Sequence, residues 1–159
     1  MKSHYLFILV LLFFSCKKSH GPAIIQYNHE YKSTVVFNSG SLITINATGA
    51  KALMGCDGIF CGGTYVDGTN ESNAAIYITC YSSTFCNCIS SPGTYSFTCE
   101  YRTNTASTNT PIYENRLAGN PGSITFTAID GHYMEGYFNA VCRYNTDSVT
   151  VSGTFKGNY

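Results

Sequence analysis

Alternation with a period of two runs through most of the chain. In "SLITINA", Ser41–Ala47, the residues Ile43, Ile45 and Ala47 fall on one face. "AAIYITCYS", Ala74–Ser82, sets Ile76, Ile78 and Cys80 against Tyr77, Thr79 and Tyr81. The same phase recurs as Tyr95, Phe97 and Cys99; as Ile124, Phe126 and Ala128; as Phe138, Ala140 and Cys142; and as Val149, Val151 and Phe155. The opposite phase is largely Thr and Ser, as in strands with one face in a core and the other in water. Asp67-Gly68, Pro92-Gly93, Asn120-Pro121-Gly122 and Asp130-Gly131 punctuate the runs, and no segment sustains a helical period. The pattern predicts an all-β fold: an antiparallel β-sandwich (jelly-roll or immunoglobulin-like) or a small barrel, with about seven to nine strands.

The amino terminus breaks the pattern. Lys2 precedes an unbroken apolar run, Tyr5–Phe14, too short for a bilayer-spanning helix, which needs roughly 20 residues. The tract Leu12-Phe13-Phe14-Ser15-Cys16 resembles a bacterial lipobox, in which the cysteine receives a diacylglyceryl group and becomes the new amino terminus. An ordinary secretory signal is the alternative, but lysines follow at once and no A-x-A-like site appears. Residues 1–15 are therefore expected to be a lipoprotein signal peptide, 16–32 the lipidated Cys16 and a tether, and 33–159 a single β-domain. Two or three acyl chains suffice for stable anchoring. Lys17 is not the aspartate of inner-membrane retention, and no acidic run follows Cys16, so the outer membrane and its periplasmic face are expected.

The carboxy-terminal third, "GSITFTAIDGHYMEGYFNAVCRYNTDSVTVSGTF", with "SPGTYSFT" upstream, resembles a family of small uncharacterised Bacteroidota lipoproteins with a β-sandwich domain. That resemblance implies a fold and an envelope location and carries no catalytic residue. Composition adds an exclusion. Lys+Arg and Asp+Glu both number 9, the formal net charge is zero, and no basic stripe exists to follow a phosphate backbone, so nucleic acid is not an expected partner.

Eight cysteines, less Cys16, leave an odd set of seven. Cys80, Cys99 and Cys142 fall on the inward phase of strands, where cysteine acts as a small apolar residue. Cys56 and Cys61 in "CDGIFC", and Cys86 and Cys88 in "CNC", are loop-like, and a meander would bring both loops to one end of the sheet. Disulfides are the default in an oxidising envelope. A four-sulfur zinc site is the alternative, although this spacing is not a usual zinc spacing. A direct Cys86–Cys88 bridge would be strained, so each is expected to pair elsewhere. No cofactor is otherwise expected.

Motifs for nucleophile elbows, zincins, P-loops and dinucleotides are missing. His132 beside Asp130 and Glu135 reads as an exposed turn histidine, and no carboxylate pair is marked by spacing. Outward tyrosines are better candidates: Tyr77, Tyr81 and Tyr137 can stack on sugar faces or on a partner's side chains. Asp147-Ser148-Val149 resembles a Bacteroidota O-glycosylation acceptor at Ser148. The reading is a non-catalytic, membrane-anchored binding or structural module whose ligand is a glycan or an envelope protein. The alternative is a zinc-binding or thiol-active protein using Cys56, Cys61, Cys86 and Cys88.

Overall fold

Alternation becomes strand wherever the apolar phase can reach a common interior. The structure, a computed structural model, describes residues 28–57, 63–80, 88–119 and 122–159. The leader, Cys16, Cys61, Tyr81 and Cys86 lie outside these residues. The strands are β1 (Glu30–Phe37), β2 (Leu42–Thr48), β3 (Ala52–Asp57), β4 (Gly63–Thr69), β5 (Ala75–Cys80), β6 (Gly93–Tyr95), β7 (Phe97–Arg102), β8 (Ile112–Glu114), β9 (Ser123–Ile129), β10 (Tyr133–Tyr144) and β11 (Asp147–Asn158). Short 3-10 turns occupy Gly49–Lys51 and Asn115–Ala118. With 65% strand and 5% helix the fold is all-β.

The strands form one antiparallel sheet in the order β2-β1-β11-β10-β8-β7-β5-β4-β3, with β9 on β10 and β6 on β9. That path is nearly closed into a barrel of nine strands, which decides between the two architectures the pattern allowed. Phe126, Phe138, Phe155, Tyr31 and Tyr101 fill its interior, with ring centroids 5.4 Å apart for Phe126–Phe155 and 5.8 Å for Tyr31–Phe138. Gly68 is glycine because a Cβ there would run into the Tyr31 ring. The outward phase is largely Thr, Ser, Asn, Lys and Glu, with Val36, Leu42 and Leu53 as exposed apolar exceptions. Among the described residues no helix is long and apolar enough to cross a membrane.

Three local expectations change. Residues 30–32 are not tether: Glu30, Tyr31 and Lys32 lie in β1, and Tyr31 is 2% exposed, because its ring is needed between Gly68 and Phe138. His29 is buried as well, its ring nitrogens against the carbonyl oxygens of Ala52 (2.5 Å) and Asn158, so it ties the start of β3 to the end of β11. The run Gly93–Tyr101 is two strands, because at Ser96 the chain leaves β9 and joins β5 and β8 while keeping its inward phase. β8 is too short to show alternation. Just past it the Asn115 side chain continues the ladder, accepting from the Cys99 N–H (3.0 Å) and donating to the Phe97 carbonyl (2.8 Å).

Candidate binding face

The long β10–β11 hairpin, turned by Asn145 at φ 53°, pairs with β1 and then β2 in continuous register. Strand alternation therefore sets the outward residues in rows across four strands. One row is Thr48, Glu30, Lys156, Glu135; the next is Asn46, Lys32, Thr154, Tyr137; then Thr44, Thr34, Ser152, Asn139; then Leu42, Val36, Thr150, Val141. Tyr137 is 53% exposed amid hydroxyl, amide and ammonium groups.

The face is not flat. A bulge at Glu135/Gly136 leaves Thr127 of β9 as an extra residue, its hydroxyl donating to the Glu135 carbonyl at 3.2 Å. Gly136 allows that approach: a Cβ would strike the Thr125 carbonyl and the Phe155 ring. The result is a groove of about 600 Å³ holding Tyr137, Lys32, Asn46, Thr127 and Thr154. A second hollow of about 390 Å³, with Thr34, Asn139 and Ser152, shares Lys32 and Thr154 with it. The two hollows adjoin along the face, the second much shallower than the first.

Charge in the cleft is uneven. Lys156 and Glu30 pair at 3.1 Å, and Glu135 accepts a hydrogen bond from the Tyr133 hydroxyl at 2.8 Å. That bond, more than burial, raises the Tyr133 pKa above its ordinary value. The ion pairs among the described residues are Lys51–Glu71, Arg102–Glu100, Arg116–Glu114 and Lys156–Glu30, and Lys32 is in none of them.

Tyr77 is elsewhere. It lies on β5 in a separate groove of about 360 Å³ with Glu100, Glu114, Asn115 and Arg116. The Arg102 guanidinium sits 5.4 Å from its ring centroid and pairs with Glu100. Arg116 holds Glu114 through two bonds of 2.7 and 2.9 Å. The register runs Asp67, Tyr77, Glu100, Glu114 across the sheet. Burial, and secondarily the Glu100 charge, push the Asp67 carboxyl up to about 7 despite the Ile78 N–H that it accepts at 3.1 Å. Asp67 lines neither groove. The tyrosines thus do not form one face: Tyr137 and Tyr77 belong to different grooves.

Cys56 and Cys88 form a disulfide, with Cα atoms 5.8 Å apart, that fastens β3 to the segment before β6. Beside it, the Ile89 N–H donates to the Thr64 hydroxyl at 2.8 Å. Cys80, Cys99 and Cys142 are free and buried. The Cys80 thiol faces the Thr64 carbonyl at 3.4 Å, and burial pushes its pKa up to about 12. Cys142 donates to the Cys99 carbonyl at 3.8 Å; its thiol, then burial, raise the Cys99 pKa. Among the described residues no group of three or more His, Cys, Asp or Glu is placed to hold a metal. His132 is exposed, its N–H donating to Asp130 at 2.7 Å. Ser148 is half-buried, and its hydroxyl accepts from the Asn38 amide at 2.9 Å.

Sequence reasoning singled out Tyr137 but missed Lys32, Asn46 and Thr154. Asn46 and Thr154 signalled only as members of a polar phase, which becomes a site once register is known, and Lys32 lay in the stretch that reads as tether. No protein-family model, no curated protein and no solved structure matches the chain.

Proposed function

We propose that this protein is an envelope lipoprotein, anchored through Cys16 on the periplasmic side of the outer membrane, whose β-domain is a non-catalytic glycan-binding module. The observation that carries the glycan reading is the half-exposed Tyr137 ring in a groove walled by hydrogen-bonding side chains, with a shallow hollow adjoining it at Lys32 and Thr154. A sugar has an apolar ring face and a rim of hydroxyls. An aromatic platform with amide and hydroxyl neighbours matches both, and the tyrosine hydroxyl adds a polar handle.

Affinity electrophoresis of residues 17–159 through gels carrying different polysaccharides tests the reading. Retarded migration on at least one gel, reduced by Tyr137→Ala and unchanged by Tyr77→Ala, is the expected result. Migration that no polysaccharide retards would refute it.

One observation favours a second reading, contact with an envelope protein. The last outward row brings Leu42, 61% exposed, beside Val36 and in line with Val141. This apolar strip is narrow, and anchors of protein interfaces are more often aromatic or Arg. The zinc or thiol reading has less behind it, since Cys56 and Cys88 spend their sulfurs on each other.

A further inference from the structure

The cleft contains one feature that a neutral glycan would leave unused. Lys32 lies at its middle, flanked in register by Asn46 and Thr154, and it borders both hollows. Its ammonium is outside the ion pairs of the described residues, whereas both carboxylates at the cleft's end, Glu30 and Glu135, are engaged. Resting on the glycan reading above, we infer that the cleft selects acidic polysaccharides, with Lys32 receiving a sugar carboxylate while Tyr137 stacks on a ring of the same chain. Lys32 and Tyr137 are separated by β11 alone, so their strands stand roughly 10 Å apart. That span suits two neighbouring sugars, one under the ammonium and one on the aromatic ring. Asn46 beyond Lys32 extends the row for a third contact. Whole-molecule attraction does not explain such selectivity, because residues 17–159, without Lys2, carry eight Lys+Arg against nine Asp+Glu.

The test uses residues 17–159 and matched gels. Polygalacturonate, alginate and hyaluronate supply carboxylates; fully methyl-esterified polygalacturonate, galactan and dextran do not. Retention is expected to be about tenfold stronger on at least one acidic polymer than on its neutral counterparts, the scale of one charge-assisted hydrogen bond. Lys32→Gln, at an exposed position that folding does not need, should reduce acidic retention to the neutral level and leave neutral retention as it was. Tyr137→Ala should weaken both. Arg143→Gln removes another exposed cation from outside the cleft and should change nothing. Equal retention on acidic and neutral gels, or an equal effect of Arg143→Gln and Lys32→Gln, overturns the acidic assignment and leaves the glycan reading standing. Loss of retention on every gel for the unmodified protein overturns both.

Discussion

At the scale of single residues, the outward and inward faces follow different rules. Inside, polar atoms are tolerated only at a cost. The Tyr101 hydroxyl is fully buried and has no hydrogen-bond partner among the described residues, and its pKa is pushed up to about 12 by that burial. Tyr101→Phe keeps the ring contacts with Phe37 and Tyr113 and removes the stranded group. It is expected to stabilise the domain by about 1 kcal/mol, read as a higher urea midpoint with unchanged slope. Asp67 makes stability depend on pH. Its folded pKa of about 7 lies above the unfolded value near 3.9, so the native state holds the proton more tightly. The associated stability is complete below about pH 4 and is lost as pH rises through 7, to at most about 4 kcal/mol. Urea midpoints should therefore fall between about pH 4 and about pH 7, and Asp67→Asn should flatten that fall. A slope of the opposite sign would contradict the assignment. Which residues point inward was legible from the sequence, because Ile76, Ile78, Phe97, Phe126 and Val151 sit on one phase. That Asp67 shares a row with Glu100 was not, because it depends on which strands are neighbours.

Strands show where local pattern stops being informative. β5, β9, β10 and β11 were readable because each carries its own alternation. β1 was obscured because "EYKSTVVF" begins with charged residues in the stretch that reads as tether, and only its tertiary partners make Tyr31 a core residue. β8 has three residues and was invisible. The placement of β1 puts residues 30–32 inside the domain. A chain beginning at Asn28 should fold like the longer protein. One beginning at Ser33 lacks His29 and Tyr31 and should lose about 3–5 kcal/mol, the scale of deleting one large core ring. Thermal unfolding of the two chains decides between this boundary and one at residue 33. The disulfide acts at the same scale. Cys56 and Cys88 are 32 residues apart, and closing a loop of that length stabilises by about 3–4 kcal/mol in the chain-entropy account. Cys56→Ser with Cys88→Ser should lower the urea midpoint accordingly while leaving the proposed Tyr137 site, on other strands, unaltered.

For the whole molecule, the central proposal is that the strand order β2-β1-β11-β10 gathers four unremarkable polar phases into one glycan-recognition surface. Thr, Asn and Lys residues far apart in sequence meet in rows only because β1 inserts between β2 and β11. The all-β class could be read from periodicity; the cleft could not, since its curvature comes from the bulge at Gly136 and its cation from a segment that reads as tether. The most direct measurement is amide chemical-shift mapping of the folded protein during titration with an oligosaccharide from the polymer that retards it most. Shifts are expected to concentrate along Asn46, Lys32, Thr154 and Tyr137, with the Tyr77 groove undisturbed. Shifts centred on Tyr77, Glu100 and Arg116, or no shifts at all, would contradict it.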